Sequence, residues 1–172
     1  MTRLHRKFFS AIVLIAVLAS GVVQAKPLSP IYVHMNGANM FLENVIAVEP
    51  GQPVVFVNED AGVHTIIGYD PNTGKTSKTF NGFVAGTKGS GTPIATYTIT
   101  FTNSGLEYYY CSVHALLVKE PLSQMVEPKI RPGVDGFGDP MAGLIIVTTD
   151  PTILAQDPPS SHQKILADYF GG

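Results

Sequence analysis

Apolar and polar residues alternate along much of the chain with the period of two that is typical of β-strands. The clearest case is 94–101, where apolar residues at 95, 97, 99 and 101 alternate with threonines, which predicts a strand with one buried face. Other short β-type runs lie between turn signals and cover 31–34, 41–48, 54–57, 64–67, 80–84, 107–111 and 144–149. We expect the strand over 80–84 to be irregular. Short strands spaced in this way predict an all-β fold, either a sandwich or a barrel.

Two segments depart from this pattern. Residues 115–140 contain four prolines and three glycines, so we expect most of the segment to be irregular. A loop of this length inside a compact domain is usually functional or mobile. In the tail, Ser160 and Ser161 are suited to cap a short helix over about 162–169. We therefore expect residues 150–172 to form a C-terminal appendage to the β domain.

The N-terminus has the pattern of a secretory signal peptide over 1–25. Three basic residues, Arg3, Arg6 and Lys7, precede an apolar run, and small residues lead to Ala25. The run is shorter than the ~20 residues that a membrane-spanning helix needs, which favours cleavage after Ala25 over an uncleaved anchor. We therefore expect a secreted protein of the bacterial periplasm, with no stable membrane insertion after cleavage.

Composition and charge exclude several classes of function. Only 14% of the residues are charged, and the eleven basic residues are scattered, so the chain lacks the clustered lysines and arginines of a nucleic-acid-binding protein. Loss of the signal peptide removes three basic and no acidic residues and leaves a net charge of −5. Carboxylates are not paired for acid–base catalysis, no glycine-rich phosphate loop opens a helix, and the spacing supports no Ser-His-Asp triad. The sequence thus predicts no catalytic residues and no enzyme.

Four residues in three places carry donor atoms suited to a metal ion. His64 follows a turn at the start of a strand, Cys111 ends a strand with His114 three positions on, and Met141 stands immediately before the last strand. Two imidazoles, one thiolate and a weakly held thioether form a set that suits copper cycling between Cu(I) and Cu(II), because soft sulfurs favour the reduced ion and imidazoles serve both states.

Each of these residues also has a plainer structural explanation. Cys111 and Met141 would fit a packed core, and His64 would fit a loop–strand junction as a surface or capping residue. The chain has one cysteine, which cannot form an internal disulfide, and an unpaired thiol is a liability in an oxidising compartment unless something binds it. The combination of the four residues therefore favours a metal site over the separate explanations.

The same residues carry a resemblance to a known family. His64 with the upstream segment 50–58, the Cys111-x-x-His114 pair, and Met141-x-Gly before a β run are together similar to the cupredoxins. These are the small type 1 blue copper proteins typified by plastocyanin, pseudoazurin and amicyanin. The resemblance covers most of the predicted β domain. It implies that the four residues are the ligands of one type 1 copper ion.

The resemblance implies a Greek-key β-sandwich over 26–149, with the copper near one end and Met141 as the axial ligand. The chain departs from the family at 115–140, because these 26 residues separate the second histidine from the methionine, where plastocyanin-like proteins have only a few. Met125 lies in this segment and is a rival axial ligand. It lacks the following glycine and strand, and rigid elements place ligands better than loops do, so we expect Met141.

The resemblance implies a monomeric carrier that exchanges single electrons with redox partner proteins, membrane-bound or of the cytochrome type. A copper carrier or storage protein of the same fold is the alternative, for which His34, Met35 and Met40 would supply a soft Cu(I) site. A copper enzyme is disfavoured because too few histidines remain for a further catalytic copper, and a binuclear centre needs a second cysteine. Residues 115–118, after His114, would either extend an apolar docking patch or pack inward beneath the following segment.

Overall fold

The computed structural model describes residues 27–37, 39–87, 93–134 and 139–166. Within these ranges it contains ten β-strands and very little helix. The strands are β1 (Ile31–Met35), β2 (Val45–Val48), β3 (Pro53–Asn58), β4 (His64–Tyr69), β5 (Thr76–Val84), β6 (Ala95–Thr100), β7 (Gly105–Tyr110), β8 (Ala115–Lys119), β9 (Val126–Ile130) and β10 (Ala142–Val147). The helical segments are α1 (Pro151–Leu154) and a 3-10 turn (Pro159–His162). The prediction of an all-β domain is confirmed.

Eight of the strands form two sheets that face each other. One sheet has three strands in the order β1-β3-β6, and the other has five strands in the order β2-β10-β7-β4-β5. The β1–β3 and β2–β10 pairs are parallel, and the other pairs in the two sheets are antiparallel. The chain therefore passes repeatedly from one sheet to the other, as a Greek-key sandwich requires.

Aromatic rings fill the space between the two sheets. Phe56 of β3 packs edge-on against Tyr109 of β7, with ring centroids 5.2 Å apart. Phe80 of β5 lies 5.8 Å from Tyr109, and Phe41 lies 4.9 Å from it. All four rings are buried, and tilted or edge-to-face contacts at this spacing are the ones that aromatic rings prefer. The core thus holds β3, β5 and β7 in fixed relative positions.

The first part of the predicted strand 41–48 is a turn, and only Val45–Val48 is a strand. Phe41 and Glu43 in this turn are nevertheless buried. Phe41 packs in the aromatic core, and Glu43 bonds to His34 of β1. The apolar pattern therefore predicted burial correctly here and extended backbone geometry incorrectly.

Strand β5 is longer and more regular than predicted. It runs over Thr76–Val84, whereas the sequence predicts an irregular strand over 80–84. As the outermost strand of its sheet, it pairs only with β4. Its first residues therefore leave polar side chains in solvent, which hides the strand from a search for apolar positions.

The segment 115–140 is not the irregular loop that its prolines predict. Strands β8 and β9 form an antiparallel hairpin of five residue pairs. Pro128 lies in β9, opposite Leu117, and a strand tolerates proline there because each strand of a two-stranded sheet has an edge that needs no ladder bond. The expectation is therefore wrong over 115–130, and 135–138 lie outside the described residues.

The C-terminal tail contains less helix than expected. The 3-10 turn ends at His162, and no helix follows in 163–166, so the predicted helix over 162–169 is wrong for its described part. Residues 167–169 lie outside the described ranges. The hydroxyl of Ser161 donates a hydrogen bond to the carbonyl oxygen of Pro158 at 2.8 Å, so it is not available to cap a following helix.

The tail packs against the sandwich. Ser161 is fully buried. Asp157 Oδ1 accepts a hydrogen bond from the backbone amide of Ala47 in β2 at 2.6 Å. Further on, the amide of Leu166 donates to Oε1 of Glu59 at 3.1 Å. The tail therefore runs from the edge of the five-stranded sheet to the loop before β4.

The predicted signal peptide, 1–25, lies outside the described residues. Within the ranges that are described, no helix has the length and apolar character needed to cross a membrane. The signal peptide and the domain bounds 26–149 therefore stay predictions.

Candidate metal centre

The four predicted metal-binding residues lie at one end of the five-stranded sheet. His64 is the first residue of β4, and Cys111 directly follows β7. Met141 directly precedes β10, whose first residue pairs with the last residue of β7. Because β7 lies between β10 and β4 and runs antiparallel to both, its carboxyl end meets their amino ends. The topology therefore brings His64, Cys111 and Met141 together, with His114 three residues from the cysteine.

Three of these side chains form a tight cluster. The donor atoms of His64, Cys111 and His114 all lie within 4.8 Å of one another. Cys111 Sγ is 3.9 Å from Nδ1 of His64 and 3.3 Å from Nδ1 of His114. Bonds of about 2.0 Å to nitrogen and 2.3 Å to sulfur, the lengths known from zinc sites, would place such donors roughly 3.3–3.9 Å apart at bond angles of about 100–130°. The cluster therefore fits a single ion, and no second cluster of this kind occurs in the described ranges.

Cys111 is buried, yet its surroundings favour the thiolate. Burial by itself opposes ionisation, but hydrogen bonds from His64, the Thr65 amide and His114 outweigh it and lower the pKa of the Cys111 thiol to about 6. The Thr65 amide donates to Sγ at 3.3 Å. Because the thiolate is the form that binds metals, this shift favours metal binding by Cys111.

His64 is fully buried and is held through both ring nitrogens. Nδ1 faces Sγ of Cys111, and Nε2 lies 3.0 Å from Oδ2 of Asp60. Burial by itself lowers the pKa of His64, but hydrogen bonds with Cys111 and Asp60 outweigh it and raise the pKa. Metal binding at Nδ1 requires that this nitrogen carry no proton, so binding by His64 is coupled to proton release.

Thr65 and Ser112 join the two strand ends that carry the ligands. Oγ1 of Thr65 accepts a hydrogen bond from the Ser112 amide at 2.8 Å and lies 3.0 Å from Oγ of Ser112. The amides of His114 and Ala115 donate to the carbonyl oxygen of Cys111 at 3.1 and 2.8 Å. These bonds fold the Cys111–His114 segment into a tight turn and set the ligand spacing through the backbone.

Arg131, just beyond the hairpin, supports the same turn from outside. Its Nη2 donates to the carbonyl oxygen of Ser112 at 2.7 Å, and its amide donates to the carbonyl oxygen of His114 at 2.9 Å. The hairpin thus leaves the turn after His114 and returns to it at Arg131. The long insertion therefore does not separate Met141 from the other donors.

Met141 and its rival Met125 lie in very different places. Met141 is buried, and its carbonyl oxygen accepts a hydrogen bond from the Cys111 amide at 2.9 Å. Met125 is 38% exposed at the turn of the hairpin, and the amide of the next residue donates to the carbonyl of Pro71 at 2.6 Å. Pro71 lies beyond the end of β4 that is opposite His64. These positions favour Met141 as the fourth ligand.

The alternative soft site at His34, Met35 and Met40 is divided by the fold. His34 and Met35 are consecutive in β1, so their side chains point to opposite faces of the sheet. Met35 packs in the hydrophobic core, whereas Nδ1 of His34 lies 3.1 Å from Oε2 of Glu43. These two side chains therefore cannot bind one ion together.

Sequence reasoning missed four residues that shape the site, namely Asp60, Thr65, Ser112 and Arg131. Thr65 and Ser112 are next to ligands in the sequence, and Asp60 stands four positions before His64. Their closeness to the ligands could have marked them, but motif spacing concerns only the ligands themselves. Arg131 carried no such signal, because its contacts depend on the hairpin.

The donor set fits one copper ion. Two imidazoles and a thiolate with a weak axial methionine form a combination that serves both Cu(I) and Cu(II). In this chain the imidazoles and the thiolate already meet, and a backbone hydrogen bond ties Met141 to Cys111. The low pKa of the thiol adds the charge that a metal ligand needs.

No family model and no curated protein matches the chain. Among solved structures, it is similar to a purple cupredoxin from Nitrosopumilus maritimus, at 19% identity over 69% of this chain and 99% of that chain, with a TM-score of 0.46. It is also similar to amicyanin from Paracoccus versutus, at 18% identity over 72% and 85% of the two chains, with a TM-score of 0.44. A Cu(I) form of a mutant amicyanin matches at 16% identity over 73% and 87%, with a TM-score of 0.43.

All three TM-scores lie below 0.5, so the likeness adds no weight to what the chain's own geometry shows. That geometry consists of two facing β-sheets and of donor residues gathered where β4, β7 and β10 meet. In this architecture and in its His-Cys-His-Met donor set, the chain resembles the cupredoxins.

Proposed function

We propose that this protein is an exported type 1 copper protein that carries single electrons between redox partners and is not an enzyme. The observation that supports this most directly is the convergence of His64, Cys111 and His114, whose donor atoms lie within 4.8 Å of one another. The proposed ligands are Nδ1 of both histidines, Sγ of the cysteine and the thioether of Met141. When bound, the copper ion would supply the one-electron redox chemistry.

The surrounding residues would keep the site geometry nearly constant while its charge changes. His64 and Cys111 stand at the ends of strands whose sheet packs on an aromatic core. Thr65 and Ser112 bond these two strand ends directly. A site that is already organised avoids the cost of rearrangement at each transfer, which is what an electron carrier needs.

The site is closed on one side and partly open on the other. His64 and Cys111 are buried, whereas His114 is half-buried. In the strand that follows, Ala115 is buried and Val118 is 41% exposed, so this stretch divides between core and surface. We therefore expect electron exchange at His114, where a redox partner protein would approach most closely.

Adding Cu(II) to the purified protein tests the proposal. We expect one copper per chain and strong visible absorption from thiolate-to-copper charge transfer, both lost in Cys111→Ser. Met141→Leu should change the visible and EPR spectra, and the matched control Met125→Leu should not. A colourless unsubstituted protein at full copper loading would overturn the type 1 assignment. Spectra that respond to Met125→Leu and not to Met141→Leu would overturn the choice of Met141.

A copper carrier that uses the same site is the second candidate. The half-buried position of His114 favours it, because a ligand near the surface gives a competing chelator access to the ion. Reduction potential and copper release to a chelator, measured on the same sample, separate the two functions. Reversible redox with slow release supports the electron carrier, and fast, complete transfer supports the copper carrier.

The proposed export rests on the basic and apolar pattern of residues 1–25. Mass spectrometry of the protein from the periplasmic fraction should find a chain that begins at Lys26. An intact chain that begins at Met1 would contradict cleavage after Ala25.

A further inference from the structure

A carboxylate stands behind the buried histidine of the metal centre. Oδ2 of Asp60 lies 3.0 Å from Nε2 of His64, while Nδ1 of the same ring faces Sγ of Cys111 at 3.9 Å. Among the described residues, His114 has no carboxylate within ion-pair distance. The two histidines of one site therefore have different surroundings, and only the buried one is held from behind.

The loop before β4 holds Asp60 in place. Its backbone amide donates to Oδ1 of Asn58 at 3.0 Å, and its carbonyl oxygen accepts from the Thr87 amide at 2.7 Å. Asn58 is itself fully buried and donates through Nδ2 to the carbonyl oxygens of Gly62 at 2.8 Å and Ala85 at 2.9 Å. The side chain of Asp60 is only 15% exposed. The carboxylate is therefore part of a built network and not a mobile surface charge.

Gly62 leaves the space in which the carboxylate and the ring meet. A Cβ at this position would lie 3.2 Å from Oδ2 of Asp60 and 3.9 Å from Nε2 of His64. Any larger side chain would crowd the carboxylate from the side. The contact between Asp60 and His64 thus depends on the small size of Gly62 and on the hydrogen bonds of Asn58 to Asp60 and Gly62.

We propose that Asp60 is a positioning residue of the metal centre, which keeps a proton on Nε2 of His64 and so directs the Nδ1 lone pair at the metal. This inference rests on the proposed function. A histidine that binds a metal through one nitrogen commonly donates its other N–H to a carboxylate, which fixes the tautomer and ring orientation and makes the ligand a stronger base.

The negative charge of Asp60 also strengthens metal binding at the site. A negative charge close to the site stabilises the higher charge of Cu(II) more than that of Cu(I). Asp60 therefore raises the affinity for Cu(II) more than the affinity for Cu(I). The consequence is a lower reduction potential than the same four ligands would have without it.

Two substitutions and one matched control test the inference on the copper-loaded protein. Asp60→Ala removes the contact, Asp60→Asn keeps its shape without the charge, and Glu59→Gln removes a neighbouring charge whose carboxylate bonds to the amide of Leu166. We expect Asp60→Ala to lower the Cu(II) affinity by about 10–100-fold and the Cu(I) affinity by less. Each tenfold of difference raises the reduction potential by about 59 mV. The affinities and the reduction potential of Asp60→Asn should lie between those of Asp60→Ala and the unsubstituted protein, and those of Glu59→Gln should equal those of the unsubstituted protein.

A measurement on the copper-free protein separates failure of this inference from failure of the proposed function. NMR of protein with 15N-labelled histidine should show a proton on Nε2 of His64 that exchanges slowly with solvent. The signal should persist in Glu59→Gln and disappear in Asp60→Ala. A fast-exchanging Nε2 proton in the unsubstituted protein overturns the inference, as do equal potentials and affinities in Asp60→Ala. A slow proton in a chain that binds no copper supports the positioning of His64 and overturns the proposed function.

Discussion

His34 and His64 are buried histidines that each bond to a carboxylate. Nδ1 of His34 lies 3.1 Å from Oε2 of Glu43, and Nε2 of His64 lies 3.0 Å from Oδ2 of Asp60. Burial by itself lowers the pKa of each histidine, but their hydrogen-bond partners, the carboxylates among them, outweigh it and raise the pKa of both. By these measures the two pairs are alike.

The two pairs differ in which ring nitrogen the carboxylate occupies. The carboxylate beside His64 takes Nε2 and leaves Nδ1 toward Sγ of Cys111, with the His114 imidazole beside it. The carboxylate beside His34 takes Nδ1 and also accepts the backbone amide of His34 at 2.8 Å. A buried histidine–carboxylate pair is therefore not itself a metal site. The pair becomes part of a metal site only where a thiolate and a second imidazole lie on the side of the free ring nitrogen.

The largest expected effects come from removing the histidine of each pair, because one pair should affect stability and the other copper binding. His34→Ala leaves the buried Glu43 without its imidazole partner but with the backbone amide of residue 34; loss of one member of a buried pair typically costs about 3–5 kcal/mol, measured by urea unfolding of the copper-free protein. His64→Ala should instead abolish the thiolate-to-copper absorption. The double substitution His34→Leu/Glu43→Leu removes both charges together, so it should cost less than His34→Ala, and it serves as the control for folding. A folded double variant without that absorption would contradict the separation.

The second largest difference between the two pairs should be their effect on the titration of the Cys111 thiol. The pKa of the Cys111 thiol is lowered to about 6 from an ordinary value of 9.0, so the ultraviolet absorbance of the thiolate in the copper-free protein should have a midpoint near 6. Loss of the imidazole in His64→Ala should move the midpoint upward. His34→Leu/Glu43→Leu should leave it in place, and a midpoint near 9 in the unsubstituted protein would refute the favoured thiolate.

The His34–Glu43 pair should stabilise the fold most between about pH 4.5 and 6.5. Burial opposes both charges, but their mutual hydrogen bond outweighs it, so the pKa of Glu43 lies below its ordinary 4.5 and that of His34 above its ordinary 6.5. The contribution of Glu43 is full above 4.5 and is lost as the pH falls through its lowered pKa. The contribution of His34 is full below 6.5 and is lost as the pH rises through its raised pKa.

The measurement is the free energy of unfolding against pH for the unsubstituted, copper-free protein and for His34→Leu/Glu43→Leu. The difference between the two proteins should peak inside this window and decline on both sides. A difference that does not vary with pH would mean that the pair carries no charge. The His64 pair should not change this difference, because both proteins retain it.

Met40→Leu should have the smallest effect of all. Methionine and leucine have similar volumes, and such exchanges usually cost less than about 1.5 kcal/mol. If the His34 side of the molecule binds no metal, Cu(I) titration against a competing chelator should give one copper per chain before and after the substitution. Two coppers in the unsubstituted protein and one in Met40→Leu would show that the two regions are both metal sites.

The predictions that succeeded rest on signals confined to a few neighbouring residues. The alternation over 94–101 is the half-exposed strand β6 (Ala95–Thr100). The Cys111-x-x-His114 spacing is contained within one backbone turn, and the structure brings both side chains to His64. Local patterns of this kind survive folding because the residues that express them stay adjacent.

The predictions that failed concern residues whose meaning depends on distant partners. Pro128 argues against a strand, but it is accommodated in a two-stranded hairpin. Ser161 reads as a helix cap, but it is buried where the tail crosses the sandwich. Asp60 and Glu59 are indistinguishable as neighbouring acids, yet one bonds to His64 and the other to the end of the tail.

The sequence by itself determined a β-rich chain with His64, Cys111, His114 and Met141 close to strand ends, because alternation and donor chemistry belong to the residues themselves. Only the tertiary structure decided that β7 lies between β4 and β10, so that Met141 meets Cys111 across a 26-residue insertion. It also decided that His34 stays apart. Such contacts depend on sheet order and register, and since a shift of one residue turns a side chain to the opposite face, no local pattern encodes them.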